Sequence, residues 1–108
     1  MDLLSKHCIP CEEGTPPFTK SQAEKYLPQV PDWHLIEDNK RIERKFKFKN
    51  FVEALAFINK IGEIAESEGH HPNIRFGWGY ASITSSTHNI GGLSENDFIL
   101  AAKINQLI

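Results

Sequence analysis

A chain of 108 residues, 40% hydrophobic and 24% charged, has the composition of one ordinary globular domain, and by size scaling it buries roughly two thirds of its unfolded surface around a single core. Its 12 basic residues are outnumbered by 14 acidic ones, for a net charge of -2, so the balance points away from nucleic acid. No apolar run approaches the roughly 20 residues of a membrane span, and the segment Met1 to Lys6 lacks the charged start and long apolar centre of a secretory leader, so a cytoplasmic protein is expected.

Cys8 and Cys11 form one Cys-x-x-Cys, with His7 just before it. Structural zinc takes four ligands, so His34 or a second chain would have to complete a set begun by the thiolates and His7. A thioredoxin-like role needs a strand before the motif and a helix after it, and neither is present. The segment Ile9 to Phe18, with Pro16-Pro17, reads as extended. Residues 1–18 are therefore expected as an extended N-terminal arm and residues 19–108 as one domain. Reduced, unliganded thiols are the favoured reading of the arm, with metal or redox duty the alternative.

Thr19 caps a short helix from Lys20 to about Leu27, ended by Pro28. Trp33 to Glu37 reads as a strand, Asp38-Asn39 as a turn and Arg41 to Phe48 as a second strand. In that second strand Ile42, Arg44, Phe46 and Phe48 share one face, while Arg41, Glu43, Lys45 and Lys47 share a wet one. From Phe51 the residues Ala54, Leu55, Ile58, Ile61 and Ala65 recur at helical spacing, with Asn50 as cap and Gly69 as stop. Glu63, Glu66 and Glu68 crowd the last turns of this long helix, where the macrodipole prefers cations. A carboxylate there, followed by a chain reversal at Gly69 and His70, can reach an imidazole.

After Pro72 the period becomes two. Ile74, Phe76, Trp78 and Tyr80 alternate with Arg75, Gly77 and Gly79, which reads as one strand with a nearly bare face. That face either admits a ligand or a neighbouring subunit or marks a weak, twisted strand. Ala81 to Ser86 gives a fourth strand of small and hydroxylic residues, expected at an edge, and it delivers Thr87-His88 to a loop with Gly91-Gly92. Ser94 opens the last helix with Asp97 as a capping-box acid. Phe98, Ala101, Ala102 and Asn105 line one flank of it and Leu100, Ile104 and Leu107 another, so it is expected to meet a partner as well as its own core. The order α-β-β-α-β-β-α predicts an α+β fold, a four-stranded antiparallel sheet with helices packed on one face.

Three of the five histidines, His70, His71 and His88, stand near Glu66 and Asp97 in this pattern. Taken singly they read as loop imidazoles, and Asp97 as a helix cap worth about 1 kcal/mol. Two connections at the same end of a sheet would bring them around one pocket. Adjacent side chains such as His70 and His71 diverge, which counts against zinc. Both cysteines lie in the arm and no serine sits at a nucleophile elbow, which counts against covalent catalysis. Acid-base chemistry without a metal or cofactor is the reading these residues favour.

Glu66, His70-His71-Pro72, Trp78, His88 and Asp97, at the spacing they have here, resemble the signature of the pterin-4a-carbinolamine dehydratase (4a-hydroxytetrahydrobiopterin dehydratase) family. The likeness runs from about Thr19 to the end and takes in Trp33-His34-Leu35 and the basic-aromatic strand through Phe48. It implies dehydration of 4a-hydroxytetrahydropterin to quinonoid dihydropterin, which regenerates the cofactor of aromatic amino acid hydroxylases. It implies His70, His71 and His88 as catalytic histidines, with Glu66 orienting or tuning His70. Substrate contacts are implied at Trp33, Gly69, Pro72, Ser86, Thr87, Asn89 and Asp97, with no cofactor and no metal. The family often has Asp or Asn where this chain has Gly69. Its members assemble as homodimers and homotetramers, and some serve as dimerisation cofactors of a homeodomain transcription factor. A non-catalytic binding module with a vestigial pterin pocket is the alternative that this implies.

Overall fold

The computed structural model describes residues 2–108; Met1, part of the segment read for a leader, lies outside them. Asn50 starts helix α2 (Phe51–Glu68) by accepting from the Glu53 amide at 2.9 Å. Gly69 ends it in a left-handed turn at φ 64°, donating its amide to the Ala65 carbonyl. The residues α2 buries are Ala54, Phe57, Ile61 and Ala65, a face shifted from the expected stripe, since Phe51 and Leu55 stay exposed. Phe57 takes the core side, its ring centroid 4.6 Å from that of Phe46 and 5.0 Å from that of Phe48. Aromatic packing between helix and sheet thus sets the rotation of α2, a contribution that the periodicity of one segment does not contain.

Strands β1 (His34–Ile36), β2 (Arg41–Lys47), β3 (Asn73–Gly77) and β4 (Tyr80–Ser85) form one antiparallel sheet in the order β1-β2-β4-β3. The run from Ile74 to Tyr80 is not one strand. Gly79, at φ 80°, reverses the chain after Trp78, so that Tyr80 opens β4 and pairs with Gly77. A Cβ on Gly77 would meet the Tyr80 ring at 2.8 Å, so the space beside this glycine is filled by the chain's own tyrosine. The small, hydroxylic strand β4 is also not an edge; it lies between β2 and β3. Its Ala81, Ile83 and Ser85 are buried, and the Ser82 and Thr84 hydroxyls donate to Glu43 of β2 at 3.4 and 3.3 Å. Hydroxyls satisfied by a neighbouring strand do not need an edge.

Helices α1 (Lys20–Tyr26), α2 and α3 (Glu95–Asn105) cover the face on which Ile42, Phe46, Ala81 and Ile83 are buried, giving the expected α+β architecture. Helix α3 is buried from Asn96 through Ala102 and again at Ile104. The 3-10 turn Leu3–Ser5, whose Leu3 belongs to the core, packs against this helix from within the chain. Between β4 and α3, Thr87 pairs with Gly92 and encloses another 3-10 turn, His88–Ile90.

Candidate active site

The site is built around a carboxylate. Asp97 is fully buried at the start of α3, where its Oδ2 accepts from the Ser94 amide at 3.0 Å as a helix cap. The same side chain accepts from Ser85 Oγ at 2.6 Å and Thr87 Oγ1 at 2.8 Å, tying the end of β4 to α3. Its fourth partner is His70 Nε2, 2.7 Å from Oδ1. A carboxylate offers about four acceptor positions, and here each is taken. The ring hydrogen of His70 therefore sits on Nε2, and in the neutral ring Nδ1 carries the free lone pair. With only 12% of its side chain exposed, His70 is held in one orientation.

The left-handed turn at Gly69 sends His70 inward and leaves His71 outside. Glu66 does not orient His70, as expected, but bonds His71, with Oε1 2.8 Å from Nε2, on the solvent side of α2. Both partners of this pair are more than half exposed, so the bond orients the ring while adding little stability. A cavity of about 480 Å³ opens over the turn. His70, His71 and His88 all line it, together with Gly69, Ser86, Thr87 and Asn89. Three imidazoles separated by up to 18 positions in the chain thus border one space because the α2 terminus and the His88–Ile90 turn meet at the same end of the sheet. The His88 ring has no hydrogen-bond partner among the described residues, and no group of three or more His, Cys, Asp or Glu placed to hold a metal ion occurs among them.

The rest of the lining comes from the N-terminal arm: Cys8, Ile9, Pro10 and Cys11, with Glu68 and Asn96 behind them. Glu68 Oε1 accepts from the Cys8 amide at 2.8 Å, and Oε2 accepts from Lys103 Nζ at 2.6 Å and lies 3.0 Å from His7 Nδ1. Burial pushes the Glu68 pKa up, but the bonds from Lys103, Cys8 and His7 outweigh it and hold the carboxyl at about 2. Burial first, and then the charge of Glu68, push the Cys8 thiol up to about 12, so it stays protonated and is a poor nucleophile at neutral pH. The depressed pKa of Glu68 makes an acid-stability prediction. Its contribution is complete above the ordinary carboxylate value of 4.5 and is lost as pH falls through about 2. Urea midpoints measured from pH 5 to pH 2 are expected to fall more steeply for the unmodified chain than for Glu68→Gln; parallel curves would refute the assignment.

Of the residues implied as substrate contacts, Trp33 and Pro72 do not line the cavity. The buried Trp33 indole instead donates to Asn105 Oδ1 at 2.8 Å, an atom that also accepts from Arg44 at 2.7 Å. Asp97 lies beneath the cavity, reaching it through His70. Sequence reasoning missed Asn96 and the arm's place at the cavity; the only sequence signal for Glu68 was an acid at the wrong end of a helix dipole.

Comparison with known proteins adds a family. A family model described as "Pterin 4 alpha carbinolamine dehydratase" matches residues 16–107, beginning after the Cys8 to Cys11 wall of the cavity. A protein of Halorhodospira halophila named "Putative pterin-4-alpha-carbinolamine dehydratase" is 52% identical over 107 residues, 99% of this chain and 98% of its own. The crystal structure of a "transcriptional coactivator/pterin dehydratase" from Brucella melitensis superposes with a TM-score of 0.79 at 30% identity, over 84% of this chain and 97% of its own. A pterin dehydratase-like protein described as a RuBisCO assembly factor in the alpha-carboxysome gives a TM-score of 0.62 at 25% identity, over 73% and 92%.

Proposed function

The chain belongs to the pterin 4 alpha carbinolamine dehydratase family, and from that premise we propose that it dehydrates a 4a-hydroxytetrahydropterin to the quinonoid dihydropterin, recycling the cofactor of an aromatic amino acid hydroxylase. The observation that carries this reading is the gathering of His70, His71 and His88 on one cavity, whose volume of about 480 Å³ falls among small-molecule sites. In the reaction the N5 lone pair forms a double bond to carbon 4a as the bond from that carbon to its hydroxyl oxygen breaks. The hydroxyl leaves as water after taking a proton, and N5 gives its proton to a base. One proton is supplied and one removed, a task suited to imidazoles at neutral pH.

On this reading His70, His71 and His88 are the proton-transfer groups. Asp97 positions His70, Glu66 positions His71, and Gly69, Ser86, Thr87 and Asn89 contact the pterin. The free thiols of Cys8 and Cys11 agree with a reducing, cytoplasmic setting. The direct test is spectrophotometric: the purified chain is expected to accelerate conversion of a 4a-hydroxytetrahydropterin to the quinonoid product. No acceleration over buffer would overturn the proposal in favour of a binding module.

Exposed apolar side chains support the homo-oligomer that the family resemblance implies. Phe51, Val52 and Leu55 on α2 and Ile74, Trp78 and Tyr80 on the β3–β4 hairpin are each more than a third exposed, and β3 is an unpaired edge. Sedimentation equilibrium is expected to give a dimer or tetramer mass, and Leu55→Glu combined with Ile74→Glu to give the monomer. A monomeric unmodified chain would remove this part of the reading.

A further inference from the structure

The arm that walls the cavity lies ahead of the family match, yet it is fastened to the two places that hold the site together. Glu68 directly precedes the turn that carries His70, and Asn96 directly precedes Asp97. Glu68 takes the Cys8 amide and the His7 ring, one on each carboxylate oxygen, while Lys103 of α3 fixes Oε2. Asn96 reads both sides of the Ile9 peptide: its Oδ1 accepts from the Ile9 amide at 3.0 Å and its Nδ2 donates to the Ile9 carbonyl. Both anchoring side chains are nearly or fully withdrawn from solvent, Glu68 with 4% of its side chain exposed and Asn96 buried. Arm residues on either side of this point are also tied down. Leu3 packs in the core, Lys6 pairs with Glu95 at 2.9 Å, and the Phe18 amide donates to the Leu93 carbonyl at 2.8 Å. A Cβ on Gly92 would meet Pro17 at 2.7 Å, so the glycine makes room for the arm's return.

Resting on the dehydratase reading, we infer that Glu68 and Asn96 are positioning residues that clamp residues 7–11 across the cavity as its fourth wall, so that substrate binds between the arm and the histidine turn. Neither residue transfers a proton. A wall ordered in advance spares the ligand the entropy of ordering it, so the clamp acts on binding. The histidines and Asp97 are untouched when it opens, so turnover of bound substrate is preserved.

The test uses the full chain and three variants: Glu68→Ala, Asn96→Ala and Ile9→Pro, the last removing the amide that Asn96 reads without altering a core side chain. Each is expected to raise KM for the 4a-hydroxypterin, and Kd for 7,8-dihydrobiopterin by fluorescence titration, about tenfold, with kcat within about twofold. Trypsin is expected to cut after Lys6 faster in all three, which shows the arm released, and Asn96→Ala combined with Ile9→Pro to be no worse than either alone. Released arms with unchanged Kd, or a fall in kcat at unchanged KM, would overturn the inference while leaving the dehydratase reading intact. A wild-type chain that neither binds the dihydropterin nor dehydrates the substrate would overturn both. Ile9→Pro keeps the test decisive if either anchor variant fails to fold.

Discussion

His71→Ala and His88→Ala are each expected to lower the rate of 4a-hydroxypterin dehydration about 10²-fold or more while the fold stays intact, the loss a positioned proton-transfer group gives when it is removed. The separation of the two effects follows from the burial pattern. Among the described residues the exposed His88 ring has no partner and the His71 ring is bonded only to the exposed Glu66. Surface changes of this kind move stability within roughly 0.5 kcal/mol, too little to unfold a domain of this size. Rates measured at saturating substrate, with thermal melts as the control, therefore report chemistry alone. Unchanged rates in both variants would remove the enzyme reading and leave a pocket that binds without reacting. His70→Ala is a weaker choice for the first experiment, because it also strips a donor from Asp97.

Asp97→Ala is expected to cost about 4 kcal/mol of stability, because four donors from three elements lose their acceptor at once in a site closed to water. The donors are His70 Nε2, Ser85 Oγ, Thr87 Oγ1 and the Ser94 amide. For a domain of about 100 residues that is a drop in Tm of roughly 15–30 °C. Asp97→Asn separates the roles. Its carbonyl can still cap α3, but its NH2 group must then face donors, and His70 is left to choose its tautomer freely. The melt of Asp97→Asn is expected to fall less than that of Asp97→Ala while its dehydration rate still falls at least about tenfold, as a misoriented proton-transfer group would require. Equal stability of Asp97→Ala and the unmodified chain would show that the network is not what joins β4 to α3.

An isolated reading of residues located Asp97 as a helix cap and stopped there. The cap is real, but the Ser94 amide takes only one of four acceptor positions, and Ser85 at the buried end of β4, Thr87 just beyond it and the inward-turned His70 take the others. The pairing of Glu66 with His71 has a related cause. Its place in the last turn of α2 was legible, whereas the side of α2 on which each histidine emerges depends on the left-handed turn at Gly69. Asn and Asp enter that backbone region more readily than other residues, so the residues the family often has in place of Gly69 fit the same turn.

What the sequence determined on its own were the features carried within a segment: the caps at Thr19, Asn50 and Ser94, the stop at Gly69, the strands β1 and β2 and the three histidines worth suspecting. These are matters of local hydrogen bonding and periodicity, complete within a few residues. Tertiary structure alone decided the rotation of α2 on Phe57, the interior place of β4, the pairing of His70 with Asp97 across 27 positions, and the arm's position over the cavity. Each of these depends on which surfaces fill one another's space, and close packing couples residues whose separation along the chain gives no sign of the contact.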